Sequence, residues 1–206
     1  ALEWLEMQRL LTRQLKMRYA GLLPYADPRD NELTRAQLVG NDAWGIAGCR
    51  AAATLARLAG ADSLARAADS AAADYRAAFV TALARTGSRD IPPSWQGVGR
   101  DWGNLAVGYP TRVLPAADPR LALLARRIRA RTGGPGLVSY GPLDTLHTYL
   151  GTDLAQWALL AGRAAEARAY LADLLAHSSS TLGQAELFAR AGGSFGANLP
   201  PHATAA

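Results

Sequence analysis

The chain has 206 residues, half of them hydrophobic, which is enough to bury the core of one sizeable domain. Its formal net charge is +5, and because Lys16 is the only lysine, arginines carry nearly all of the positive charge. These arginines are scattered along predicted helices, which favours a solvated helix surface over a nucleic-acid interface. The single cysteine, Cys49, excludes an intrachain disulfide and a cysteine-based metal site, and we expect it to be a buried, unreactive thiol. No apolar run is long enough to span a membrane.

Both ends of the sequence interrupt predicted elements. The chain starts inside an amphipathic helix, without an initiator methionine or a signal-peptide pattern. It stops at PPHATAA, where a Pro-Pro pair leads into a predicted helix start. We therefore expect residues 1–206 to be a single partial domain that is truncated at both ends, and its localisation stays open.

Apolar periodicity predicts six helices and no sheet. They cover residues 2–18, 42–59, 62–85, 118–131, 144–161 and 164–176. The alternation typical of strands occurs only in brief pieces such as GLVSY. The predicted fold class is therefore all-α.

The helices repeat in pairs. A nearly all-apolar helix, a glycine turn and a more polar helix follow one another at 42–85 and again at 144–176, which predicts an inner helix covered by an outer one. Gly-x-Asp sequences ending in Asp42, Asp101 and Asp153 recur at intervals of about 50 residues, a period typical of helical-hairpin repeats that form a solenoid or a closed ring. We expect helix capping to be the baseline role of these aspartates.

A long segment between the third and fourth predicted helices carries most of the loop aromatics. It reads SRDIPPSWQGVGRDWGNLAVGYPTRVLPAADP and includes Trp95, Asp101 and Trp102. Long structured loops at one end of a helical scaffold often build a functional site. We therefore expect this segment to contribute to one.

Several stretches in this order resemble one protein family. GLLPYADP, NDAWGIAGCRAAATLARLAG, RDWGN, SYGPLDTLHTYLGTDLAQWALLAG, STLGQAELF and FGANLPPHATAA are similar to the C-terminal part of six-hairpin glycosidases. The resemblance implies an incomplete (α/α) toroid of about four of the six hairpins. It also implies a site in a funnel at the N-terminal ends of the inner helices, where the helix dipole stabilises carboxylates.

Glycoside hydrolysis needs two carboxyl groups, one as acid and one as base or nucleophile. Asp101 is a candidate because Trp95 and Trp102 flank it and could stack on a sugar ring while drying the carboxyl. Glu186 is the preferred second carboxyl because it follows a Ser/Thr/Gly turn near a predicted helix start. The alternatives are that Asp101 only caps a helix and that Glu186 only compensates a helix dipole.

Other residues could bind the sugar. His147 would share a helical face with Asp144, which can itself be an ordinary helix start. Asp153 reads as a cap or a polar contact inside its helix, and Trp4 and Trp157 are predicted to be core. The candidate substrate-binding residues are Trp95, Trp102, Asp42, Trp44, Tyr140, His147 and His202. Three histidines without His-x-x-x-His spacing give a metal site little support.

The leading prediction is therefore part of a carbohydrate-active hydrolase with no cofactor, no nucleic-acid or membrane partner, and self-association through exposed apolar helix faces. A glycan-binding toroid without the acid pair and a helical interaction scaffold are the alternatives. A terpene-cyclase-like or lanthionine-cyclase-like toroid is disfavoured, because the chain has neither an Asp-rich Mg²⁺ motif nor a Cys/His zinc set.

Overall fold

The structure is a computed structural model that describes residues 1–27, 34–132, 138–140, 145–183, 185 and 187–189. The described part of the chain is predominantly helical, as the sequence predicts. Its six α-helices are α1 (Leu2–Gln14), α2 (Val39–Leu58), α3 (Asp62–Thr86), α4 (Pro119–Thr132), α5 (Thr148–Leu160) and α6 (Ala164–Ala176). No helix in these ranges is long and apolar enough to cross a membrane.

The chain divides into two compact units. The first contains Ala1–Val107 and Thr111–Val113, and the second contains Gly108–Pro110 and Leu114–Ala206. The first unit is built on α1, α2 and α3, together with a 3-10 helix at Gly103–Val107. The second is built on α4, α5 and α6.

The first unit is centred on the antiparallel pair of α2 and α3. Gly60, with φ +69, makes the tight turn between them because glycine adopts this left-handed conformation without strain. Small residues of α2 face α3, so the two backbones approach closely, and a Cβ on Gly45 would lie 2.7 Å from the ring of Tyr75. Cys49 lies on this buried face and is fully buried, as predicted.

The first helix packs on this pair in an unexpected orientation. Its buried side chains are polar, Arg9 and Thr12. Arg9 donates a hydrogen bond to the Gly21 carbonyl and forms ion pairs with Glu6 and Asp74. Most large apolar side chains of α1 and its C-cap are instead exposed, namely Trp4, Met7, Leu10, Leu11 and Leu15. The prediction that Trp4 belongs to the core is therefore wrong.

The second unit repeats the hairpin and adds a small sheet. Gly162, with φ +73, joins α5 to α6. Trp157 of α5 is buried as predicted, and its indole N–H donates to the Ala116 carbonyl at 3.0 Å. Three short strands, β1 (Val138–Tyr140), β2 (Thr145–His147) and β3 (Leu187–Ala189), form an antiparallel sheet in the order β1-β2-β3. The expectation of no sheet is wrong for these nine residues, because the strands are only three residues long and β2 pairs with β3 about 40 residues further along the chain.

Candidate functional site

The segment that follows α3 is anchored at the N-terminal end of α2. Leu38 and Ser94 form an isolated β-bridge, and the Val39 N–H donates to the Pro93 carbonyl at 3.2 Å. Further along the segment, the backbone of Gly103 lies so close to Gly40 that a Cβ on Gly40 would be 2.5 Å from it. The segment containing Asp101 therefore lies at the N-terminal end of α2.

Asp101 is nearly buried in this segment, with 6% of its surface exposed. The Asn104 side-chain amide donates to its Oδ1 at 2.9 Å and to the Ile91 carbonyl at 3.0 Å. The Asn104 side-chain oxygen accepts the Trp102 N–H at 2.9 Å. Asn104 thus fixes the position of the Asp101 carboxylate.

The three Gly-x-Asp aspartates do not occupy equivalent positions. Asp101 precedes a 3-10 helix, whereas Asp42 is the fourth residue of α2 and Asp153 is the sixth residue of α5. The residues at the N-caps of α2 and α5 are Leu38 and His147, and neither forms a side-chain cap. Capping is therefore the wrong role for Asp42 and Asp153.

Asp42 is fully buried at the centre of a hydrogen-bond network. Its Oδ1 accepts the Leu23 N–H at 2.8 Å and the Tyr75 hydroxyl at 2.6 Å, and its Oδ2 accepts the Trp95 indole N–H at 2.6 Å. Burial raises the pKa of Asp42 to about 6, while these three hydrogen bonds and the charge of Arg9 act in the opposite direction. The carboxylate ties α2 and α3 to two loops, which is a structural role.

The tryptophans separate into a buried and an accessible set. Trp95 is 1% exposed and packs edge-on against Phe79, with ring centroids 4.9 Å apart. Its ring faces are enclosed, so the structure does not support the prediction that it stacks on a sugar. Trp102 is half-buried, and Trp44 is 54% exposed.

Trp44 lies on the same face of α2 as Gly40, four residues earlier. Helical side chains lean toward the N-terminus of their helix, which is the direction of Gly40 from Trp44. Gly40 contacts Gly103 of the segment that carries Asp101, so the exposed Trp44 lies one helical turn from that contact.

Asp153 is the unusual carboxyl of the second unit. It is the only charged residue of α5, and no described residue donates a hydrogen bond to it. Burial raises its pKa to about 7. Sequence reasoning missed this residue as a candidate acid, although a lone charge in an apolar helix was the available signal.

The remaining candidates belong to the second unit or lie beyond the described residues. His147 is 1% exposed, in β2 and not in a helix, so it does not share a helical face with Asp144. The backbone of Tyr140 lies in β1, but its side chain is outside the described part of the chain. Asp144, Glu186 and His202 are outside the described residues altogether.

Among the described residues, no three His, Cys, Asp or Glu side chains are grouped so that they could hold a metal ion. Comparison of the chain with protein-family models, curated proteins and solved structures gives no match. The features of this chain that bear on its function are therefore the positions of individual carboxyls and aromatic rings.

Proposed function

We propose that this chain is part of the (α/α) toroid of a glycoside hydrolase, with carboxyl groups at the N-terminal ends of its inner helices as acid and base. The hairpins α2–α3 and α5–α6 support the proposal, because each joins an apolar helix to a second helix through a single tight glycine turn. Such hairpins are the repeating unit of a toroid.

The observation that carries the proposal is the position of Asp101. A nearly buried carboxyl lies in a segment packed on the first turn of α2, and Trp44, one helical turn further along α2, is exposed. Aromatic rings beside carboxyls are a common arrangement for binding and cleaving sugars, because the apolar ring face packs on the sugar ring.

The general acid must hold its proton near neutral pH. Asp153 meets this requirement, because burial raises its pKa to about 7. Glu186 stays a candidate on the resemblance alone. The proposal therefore pairs Asp101 with Glu186, as the resemblance implies, and treats Asp153 as a separate candidate acid of the second unit.

The test is hydrolysis of a panel of aryl glycosides and oligosaccharides by the chain. Asp101→Asn should lower kcat by roughly 10²–10⁴-fold with little change in Tm, because Asn preserves the acceptor that Asn104 contacts. Glu186→Gln should lose activity if Glu186 is the second carboxyl. Asp153→Asn should lose activity only if Asp153 is the acid, in which case the wild-type rate should fall above about pH 7. Asp62→Asn, on the exposed first turn of α3, is the matched control and should be unaffected.

Turnover at the wild-type rate by Asp101→Asn would contradict the assignment. Exposure of Trp44 also favours a second candidate, a glycan-binding module without catalysis. Sugar-dependent tryptophan fluorescence that is lost in Trp44→Ala, without product formation by the wild type, would establish that alternative.

A further inference from the structure

Two arginines of the first unit hold the same short backbone segment. Arg50 of α2 donates from Nη1 to the carbonyls of Thr111 and Arg112, at 3.1 and 3.2 Å. Arg76 of α3 donates from Nε to the Val113 carbonyl at 3.0 Å. Neighbouring Cα atoms are about 3.8 Å apart, so anchoring to adjacent carbonyls keeps the two guanidiniums close together.

No carboxylate in the described part of the chain compensates the positive charge of this pair. Both side chains are half-buried, and neither forms an ion pair with a described carboxylate. Burial lowers the pKa of the Arg50 guanidinium from its ordinary value, and the nearby charge of Arg76 lowers it further. Neutral side chains could donate to the same carbonyls without this repulsion. Holding the Thr111–Val113 backbone therefore does not by itself explain why both donors are arginines.

Both guanidiniums also have N–H groups that the hydrogen bonds to the Thr111–Val113 backbone do not use. A guanidinium has five N–H groups in a planar fork. The three hydrogen bonds to the backbone leave Nη2 of Arg50 and both Nη atoms of Arg76 without a described acceptor. Paired guanidinium forks of this kind match the oxygens of a tetrahedral anion, which accept several charge-assisted hydrogen bonds at once.

We propose that Arg50 and Arg76, held by the Thr111–Val113 segment, form a binding site for a tetrahedral oxyanion, namely a phosphate or sulfate group. The anion would receive hydrogen bonds from the unused Nη groups and neutralise the repulsion between the two arginines. This site is independent of the proposed glycosidase activity and contains none of its carboxyls.

The test measures the Tm of the 206-residue chain in sodium phosphate, sodium sulfate and sodium chloride at equal ionic strength. Phosphate and sulfate should give a saturable rise of roughly 5 °C at concentrations far above their Kd, and chloride should not. Isothermal titration with inorganic phosphate should show one site. No difference between the three salts would overturn the proposal.

Two variants locate the site. Arg50→Gln and Arg76→Gln each keep an amide donor for the backbone carbonyls but remove the charge, and each should weaken phosphate binding at least 10-fold. The quantity compared is the difference in Tm between phosphate and chloride for the same variant. A variant that is less stable in every salt therefore does not show a smaller difference for that reason alone. Arg50→Lys retains the charge and should retain part of the effect.

Arg66→Gln is the matched control, since Arg66 is an exposed arginine of α3. It removes the same charge from a basic protein and should leave phosphate binding unchanged. An equal loss in all three glutamine variants would show that net charge alone attracts the anion, and would overturn the proposal.

A sugar phosphate distinguishes the source of the anion. Glucose 6-phosphate that binds at least 10-fold more tightly than inorganic phosphate, with the same dependence on Arg50, would identify an oxyanion group carried by a sugar. Equal affinities would identify the free anion, and both results satisfy the proposal.

Discussion

Asp42 and Asp153 show how surroundings give one residue type two different roles. Both lie in apolar helices, and burial raises the pKa of each. Asp42 accepts hydrogen bonds from three groups, whereas Asp153 receives none from the described residues. The three donors at Asp42 therefore offset part of the cost of ionising a buried carboxyl, and no described donor offsets that cost at Asp153.

The contribution of the Asp42 network to stability is measured by Tyr75→Phe. The variant removes the hydroxyl that donates to Asp42, so the free energy of unfolding at pH 7 should fall by about 1.5–3 kcal/mol, the range for hydrogen bonds to charged groups. Urea denaturation measures the loss. Tyr19→Phe is the control, because no described residue accepts a hydrogen bond from the Tyr19 hydroxyl, and a loss equal to that of Tyr75→Phe would contradict the prediction.

Tyr75→Phe should also shift the pH dependence of the free energy of unfolding. The folded-state pKa of Asp42, about 6, lies above the ordinary 3.8, so the folded chain binds this proton more tightly than the unfolded chain. This contribution is complete below about pH 4 and is lost as the pH rises to about 6. In Tyr75→Phe the Asp42 carboxylate loses a hydrogen-bond donor, so its pKa should rise further. The decrease in stability with rising pH should therefore continue to a higher pH than in the wild type.

Asp153→Asn should stabilise the protein at alkaline pH. The folded-state pKa of about 7 means that the stability contributed by the protonated carboxyl is lost as the pH rises from about 4 to 7. Asn stays neutral, so at pH 8 the variant should be more stable by about 1–3 kcal/mol, allowing for partial solvent exposure of the site. At pH 4.5 the two proteins should differ much less, and an equal difference at both pH values would contradict the explanation.

At the scale of the elements, the sequence predicts the ends of α2 and α5 better than their starts. The glycine turns at Gly60 and Gly162 place the ends of α2 and α5 to within a residue or two, because only glycine makes those turns without strain. The predicted starts at 42 and 144 are displaced by three and four residues from Val39 and Thr148. Aspartates suggested caps there, but backbone pairing before Val39 and strand β2 before Thr148 determine the actual starts.

The orientation of α1 could not be predicted from its apolar pattern. The spacing of its leucines indicates an apolar face toward the core, but Arg9 and Thr12 are buried there instead. Thr12 donates to the Leu22 carbonyl and accepts the Gly21 N–H, and the Arg9 guanidinium lies 4.0 Å above the Tyr75 ring centroid. These partners are distant in sequence, so periodicity carries no information about them.

The contact between α2 and the Asp101 segment is tested by Gly40→Ala. Alanine is favoured over glycine inside a helix by about 1 kcal/mol, but at position 40 its Cβ would lie 2.5 Å from the Gly103 backbone. The clash should outweigh the propensity and destabilise the protein by about 1–3 kcal/mol.

Gly48→Ala on the same helix is the matched control, since a Cβ there has no neighbour within 4 Å. It should leave stability unchanged or raise it by up to about 1 kcal/mol. Thermal unfolding of both variants gives the comparison. Equal stabilisation by the two substitutions would mean that the Gly40–Gly103 contact is absent.

At the scale of the whole molecule, composition was enough to predict a mainly helical protein, and the structure confirms it. The closed arrangement of hairpins and the pairing of Asp101 with Glu186 stay predictions. They require long-range placement of loops, which local periodicity does not encode. The Asp42 network illustrates the difficulty, because Leu23, Tyr75 and Trp95 come from three separate segments of the chain.

The exposed side chains of α1 should cause self-association of this chain. Trp4, Met7, Leu11 and Leu15 recur at helical spacing on one exposed face, an arrangement that favours association in water. Sedimentation velocity should show species larger than the 21.7 kDa monomer, with a fraction that rises with concentration.

Leu15→Glu should shift this equilibrium toward the monomer. Gln14→Glu introduces the same charge one residue earlier, on an exposed polar position of α1, and should have little effect. A monomer at every concentration would show that the exposed face does not drive association.

Because Cys49 is the only thiol of the chain and is buried, its rate of chemical modification reports how often the first unit opens. It is fully buried on α2, where Glu6 and Arg9 of α1 lie near enough to affect its pKa. Burial raises the pKa of the thiol, so a disulfide reagent reaches a reactive thiolate only when the packing around α2 opens. The rate of modification in native buffer, divided by the rate for the unfolded chain, then gives the equilibrium constant for that opening. Local opening of the packing around α2 can thus be measured without introducing any label into the protein.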